Sequence, residues 1–247
     1  MEITRANTLR GHAVHTSAGR IATTSYDGFR LMDLSAKVIA HQPEEVASLY
    51  PAVVFRPDGR HVASNQGAAP RVSIRDMQGK RVAEIGAEVE SVPMALDYSP
   101  DSKLIGIGFA NGSVMLYDAA TFRPIGVPVL AQKSPVISLC FNPQSTAFAT
   151  GAESTIIRLW DIAGSPLTPP IRAHAGGVHA LQFTPDGRIL MSGGRDEFVR
   201  FWATGAEAWM ALARERLRSR TAQPTAAGES PASASAERLG TASTTRP

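Results

Sequence analysis

DGRILMSGGRDEFVRFWA, residues 186–203, decides the fold. It reads as a strand, a tight polar turn at Arg195-Asp196, and a second strand that ends in Trp202. Asp186 and Gly187 open it with turn chemistry: Asp bonds its own backbone two residues on, and Gly accepts a positive φ. The same grammar recurs upstream. Pro57-Asp58-Gly59, Pro100-Asp101-Ser102, Pro143-Gln144-Ser145 and Pro185-Asp186-Gly187 follow one another at steps of 43, 43 and 42 residues. A weaker copy, Ser17-Ala18-Gly19, lies 40 residues before the first. A second mark keeps the same period: Met32-Asp33, Arg75-Asp76, Tyr117-Asp118, Trp160-Asp161 and Trp202-Ala203. Two independent marks at one spacing define five repeats.

Each repeat holds an apolar run, the Pro-Asp-Gly type turn, a second run such as RILMSGG, a short polar turn, an alternating strand such as IIRLWD, and a last apolar stretch. That is four short strands, a to d, in roughly 42 residues, an antiparallel sheet. One such sheet cannot bury both faces, so neighbours must stack. The units span approximately 11–40, 50–86, 92–130, 135–172 and 177–204. The period, the Pro-Asp-Gly turn and the Trp-Asp pair resemble the WD-repeat family of β-propellers, over roughly residues 11–205. The resemblance is specific in units 4 and 5, fair in unit 3 and degraded in units 1 and 2. It implies an all-β propeller of five four-stranded blades over 1–204.

The resemblance also implies a hydrogen-bonded set in each blade: a His before strand a, a Ser or Thr on strand b, an Asp in the b–c turn and the Trp of strand c. Unit 5 has all four as His174, Ser192, Asp196 and Trp202. Asp196 would hold the His174 ring and Ser192 would take the indole N–H of Trp202, a donor that needs a partner when buried. A hydrolase triad is the competing reading. Ser192 lies mid-strand with no nucleophile elbow, so the set reads as a staple and no catalytic residue is assigned. Other units keep fragments: Thr150 and Trp160, with Ser154 at the Asp position and no His; Asn111-Gly112 with Tyr117; Ser64 alone, with Pro70 in its turn; Asp27-Gly28 with Met32. Units 1 and 2 are therefore expected to be the least rigid.

Other stretches imitate chemistry. GIGFANG, residues 106–112, imitates a nucleotide loop, but a strand pattern follows it where a helix is required. Aligning Ser17-Ala18-Gly19 with Pro185-Asp186-Gly187 puts His12 level with Ala180, inside strand a. The six histidines show no metal-ligand spacing, so no metal and no cofactor is expected. The single cysteine, Cys140, excludes an intramolecular disulfide and fits a reducing, cytoplasmic setting. The N-terminus has no apolar signal region, and no run approaches a membrane span. The net charge is +3, but residues 206–247 hold six Arg against four Glu. The body is nearly neutral, which argues against a nucleic-acid face. Twenty-one Arg against four Lys point to a GC-rich, bacterial genome.

After Trp202 no strand d follows. Residues 205–220 read as a helix, capped by Thr204 and Glu207 and loaded with Arg at its end, with Trp209 either packed on the propeller or exposed as a partner anchor. Residues 221–247 read as a disordered tail. This ending is similar to the helical tail of some bacterial multidomain signalling NTPases, although the chain has no P-loop. Residues 2–9 would supply the missing strand and close a five-bladed ring; the degraded first unit favours an open arc, with self-association as its consequence. The resemblance implies a binding platform whose rim is built from d–a and b–c loops. Rim candidates are Tyr26, Glu44, Glu88, Glu90, Asn111, Lys133 and Arg195. The expected partner is an unidentified protein, with no nucleic acid and no membrane.

Overall fold

The computed structural model describes residues 11–25, 28–43, 50–65 and 71–205. Those residues form five antiparallel sheets in chain order, four with four strands and the last with three. The first holds β1 (Gly11–His15), β2 (Arg20–Ser25), β3 (Gly28–Asp33) and β4 (Val38–Gln42). The second holds β5 (Val53–Phe55), β6 (His61–Asn65), β7 (Val72–Asp76) and β8 (Arg81–Ile85). The third holds β9 (Pro93–Tyr98), β10 (Leu104–Phe109), β11 (Ser113–Asp118) and β12 (Pro124–Leu130). The fourth holds β13 (Val136–Phe141), β14 (Ala147–Ala152), β15 (Ile156–Asp161) and β16 (Ile171–Arg172). The fifth holds β17 (Val178–Phe183), β18 (Ile189–Gly194) and β19 (Val199–Ala203). The expected helix and tail beyond Gly205, Trp209 within them, and the closing segment 2–9 lie outside the described residues.

Both sequence marks have a local cause. In the a–b turns an amide closes on the carbonyl three residues back: Gly59 to Arg56, Ser102 to Ser99, Ser145 to Asn142, Gly187 to Thr184. The donor residue takes a positive φ in each. The Asp of the second mark anchors the c–d turn. Oδ1 of Asp33 accepts the amides of Ser35 and Lys37, Asp76 those of Gln78 and Lys80, and Asp161 those of Ala163 and Ser165. The fifth sheet has Ala203 at that place, which offers no such side-chain acceptor.

The first unit departs from the sequence alignment by one residue. Its turn amide, Gly19, reaches Thr16 inside a hairpin closed by the His15↔Arg20 pair. His12 pairs with Thr23, as Leu181 pairs with Ser192. His12 is therefore level with Leu181 and not with Ala180, though still inside strand a. The strand β4 also runs to Gln42, past the expected end of the unit at residue 40.

Stacking buries what each sheet cannot bury alone. Phe29 and Leu31 pack on Val53 and Val62, and Ile74 on Ile105 and Tyr98. Leu116 packs with Phe141, Phe148 and Trp160, and Leu159 with Val178, Phe183 and Leu190. These four cores join sheets 1–2, 2–3, 3–4 and 4–5. Among the described residues no such core joins the fifth sheet to the first.

Candidate functional site

In the fifth sheet four side chains converge. His174 Nδ1 lies 2.7 Å from Asp196 Oδ1, and its Nε2 lies 2.7 Å from Ser192 Oγ. The indole of Trp202 donates to the same Ser192 oxygen at 2.9 Å. A proton on Nδ1 aimed at Asp196 leaves Nε2 to accept the Ser192 hydroxyl, whose oxygen then accepts Trp202. Arg200, which sequence reasoning missed, donates to Asp196 Oδ2 at 2.7 Å, and the Ala175 amide reaches the same oxygen at 3.0 Å. Burial alone would raise the Asp196 pKa. The Ala175 amide, His174, Arg200 and the Phe198 amide outweigh it and hold the carboxyl well below its ordinary value. Ser192 is buried, and its oxygen is engaged by both His174 and Trp202. The cluster is built to hold strands together.

The other sheets meet the same need with different residues. In the fourth, Trp160 donates to Thr150 Oγ1 at 3.1 Å and Gln132 donates to that oxygen at 3.2 Å. Gln132 stands 18 residues before Thr150, as His174 stands before Ser192, and that spacing was the available signal. In the second sheet Arg75 replaces the Trp. It donates to Ser64 at 3.1 Å and lies over the Phe29 ring of the first sheet, 4.6 Å from its centre. In the third, Ile107 leaves no hydroxyl on strand b, and Tyr117 donates instead to Glu88 at 2.7 Å. Burial and the Glu88 bond push that phenol upward.

The rim candidates separate accordingly. Tyr26 and Glu44 lie outside the described residues. Glu88 is engaged by Tyr117, and the side-chain Oδ1 of Asn111 accepts the Ser113 amide and hydroxyl. Glu90, Lys133 and Arg195 are exposed on the d–a and b–c segments. Those segments are fastened in pairs: the Asn111 amide to Ser91, the Ser154 amide to Ser134, the Arg195 amide to Gly177. They surround the end of the molecule where the first strands of the sheets begin. A cavity of about 470 Å³ opens there, walled by residues 50–52, 94–96, 137–139 and 179–181 of four sheets. At its lip the Tyr50 hydroxyl donates to Glu153 at 2.9 Å, and the Tyr50 ring lies 6.1 Å from that of His179. Burial and Glu153 raise the Tyr50 phenol. Sequence reasoning singled out neither Tyr50 nor Glu153, because no repeat mark includes them.

Among the described residues no group of three or more His, Cys, Asp or Glu is placed to hold a metal ion. No helix there is long and apolar enough to cross a membrane.

A family model described as WD domain, G-beta repeat, matches residues 126–161 and 165–203. Residues 126–161 and 165–203 are WD repeats. The matched segments start near the last strand of one sheet and end on the third strand of the next. A WD repeat thus ties adjacent blades together covalently. The chain is similar to COMPASS component SWD1 of Saccharomyces cerevisiae, 35% identical over 71 residues, or 28% of this chain and 17% of that protein. It is similar to meiotic recombination protein rec14 of Schizosaccharomyces pombe, 29% identical over 105 residues, or 42% of this chain and 31% of that one. It is also similar to U3 small nucleolar RNA-associated protein 15 of Saccharomyces cerevisiae, 27% identical over 99 residues, or 40% and 19% of the two chains. The matches span less than a third of each of these relatives. All three are yeast proteins, and they lend no support to the bacterial origin or to the likeness to signalling NTPases.

Proposed function

We propose that this WD-repeat chain is a non-catalytic scaffold of the cytoplasm that holds a segment of a partner protein at the mouth walled by the starts of the strands a. The supporting observation is the cavity of about 470 Å³ with fixed walls from four sheets and Tyr50, Glu153 and His179 at its lip. The walls expose polar as well as apolar surface, so hydrogen bonds and apolar contact would together fix the segment. Tyr and Arg anchors carry a disproportionate share of binding energy, which favours Tyr50 and the nearby Arg195. Walls held by packed cores need little reordering when a ligand enters, so less affinity is lost on binding. A relative whose name makes it a component of a complex agrees with such a role.

The test is cross-linking mass spectrometry in the source cells, followed by titration of the partner found. Tyr50→Ala and Arg195→Glu should each weaken binding by about tenfold or more, with the melting temperature unchanged. Cross-links concentrated away from this mouth, or full binding by both variants, would overturn the proposal.

A further inference from the structure

The first strands of the sheets end in a second cavity, of about 600 Å³, opposite the mouth at their starts. Asp97 and Tyr98, residues 139–141 and residues 181–183 wall it, and Pro57, Pro100, Pro143 and Pro185 of four a–b turns form its rim. Leu139 and Leu181 belong to both openings, so the two lie back to back along the same strands.

The repeat does not call for a charge at Asp97. The strand pairings place Ala13, Val54, Cys140 and Gln182 at the equivalent position of the other sheets. Asp97 Oδ2 accepts the Phe141 amide of the next sheet at 2.9 Å. Cys140 accepts the Phe183 amide in the same way without a charge, so the sheet boundary has no need of a carboxylate. The Phe141 and Tyr98 amides favour the ionised form of Asp97, but burial outweighs them and pushes the carboxyl up to about 7. No cation among the described residues offsets that burial. The acids of the nearby turns are served: Asp58 by Arg56 and Arg60, Asp101 by Lys103, and Asp186 by Arg188. Around Asp97 itself, Gly106 and Leu116 complete its row, the Cys140 thiol is kept neutral by burial and by Asp97, and Gln182 is uncharged. A charge drawn out of water in this way is costly until a cation meets it.

We propose that this cavity receives a lysine side chain of a partner protein, its ammonium on Asp97 and its stem along Leu139, Leu181 and the turn prolines. Charge complementarity selects a cation, and the geometry of the carboxylate selects lysine. Oδ2 is engaged by the Phe141 amide, so the two oxygens are not both free for a ligand. A guanidinium fork gains most from both oxygens, whereas an ammonium is a point charge that a single oxygen serves. Gln182, exposed in the same wall, offers a side-chain carbonyl to another of the ammonium protons. The Leu, Phe and Pro around it suit the methylenes of a lysine stem. The inference does not rest on the mouth proposed for a partner segment, which lies at the other end of the strands.

The experiment is an amide NMR titration of the full chain with Nα-acetyl-lysine amide, followed at the Phe141 and Tyr98 resonances. Saturable shifts with a millimolar Kd are expected, the scale open to a fragment of this size. Nα-acetyl-arginine amide should bind several-fold more weakly, and the uncharged norleucine analogue should move neither resonance. Lowering the pH from about 8 to about 5.5 protonates Asp97 and should weaken wild-type binding by about tenfold or more. Asp97→Asn keeps an oxygen for the Phe141 amide, so it should fold with an unchanged circular dichroism spectrum and lose both the binding and its pH dependence. Tyr50→Ala should bind the probe as wild type does. No saturable shift, equal binding of the arginine or norleucine analogue, full binding in acid, or full binding by Asp97→Asn would each overturn the proposal. Tighter binding of n-butylammonium than of the lysine probe would point to a free amine and overturn the assignment to a partner's lysine.

Discussion

Asp196 shows how much one side chain carries in a three-stranded sheet. One oxygen fixes the His174 ring, and the other takes Arg200 and the Ala175 amide. Because these donors depress its pKa in the folded chain, the stabilisation it gives is complete above the ordinary carboxylate value, about 3.9. It is lost as pH falls through the lower, folded value. Asp196→Asn should therefore melt lower than wild type at neutral pH, with the gap intact near pH 5 and closing in strong acid. Thermal melts of both proteins from neutral to strongly acidic pH check this; a gap independent of pH would mean that charge is not what Asp196 contributes. At this scale the sequence showed His174, Ser192, Asp196 and Trp202 together, since all four residue types were recognisable. Gln132, Arg75 and Arg200 were hidden, because the physical demand is only for a buried donor or acceptor, and an amide or guanidinium meets it as well as an imidazole or indole does.

The turns set the limits of each sheet, and one of their costs is visible. Ser102 and Ser145 sit at φ of 63° and 58°, where Gly59 and Gly187 sit in the neighbouring turns. A side chain in that region costs roughly 1 kcal/mol. The serines return it across the sheet boundary: Ser102 Oγ accepts the Asp58 amide and Ser145 Oγ the Asp101 amide, each at 3.1 Å. Ser145→Ala keeps the strain and loses the bond, so urea unfolding should show a loss of about 1 kcal/mol. Ser145→Gly loses both and should stay near wild type; a loss equal to that of the Ala variant would sink the strain account. The same turns explain what could be read in advance. Pro, Asp and Gly at fixed steps placed the strands of units 2 to 5. Unit 1 has neither Pro nor Asp in its turn, and there the alignment slipped by one residue. The cavity lip was illegible, because Tyr50, Glu153 and His179 come from three sheets and meet only after stacking.

As a whole the described chain behaves as a row of five sheets joined by four cores, and its stability should vary along that row. In such an array each unit is held by its own strands and by its neighbours. The second sheet has a large core with the third, in which Ile74, Ile105, Ile107, Phe109 and Tyr117 are buried. The third and fourth are clamped from both sides. Among the described residues the first sheet has a neighbour on one side only, and the core there is the smallest: Ala22, Phe29, Leu31, Val53 and Val62. The fifth also has one neighbour, but the His174 cluster and a larger core hold it. Local opening takes the least-packed unit first. Native-state hydrogen exchange should therefore rank β2 and β3 as the first to lose protection and β10, β11, β14 and β15 as the last. The second sheet, despite its degraded repeat marks, should follow the inner sheets. A closed ring would give the first sheet a second core and raise its protection to the inner level. Equal protection across all five sheets would therefore contradict the open row, while an ordered loss from the first sheet inward would follow from it.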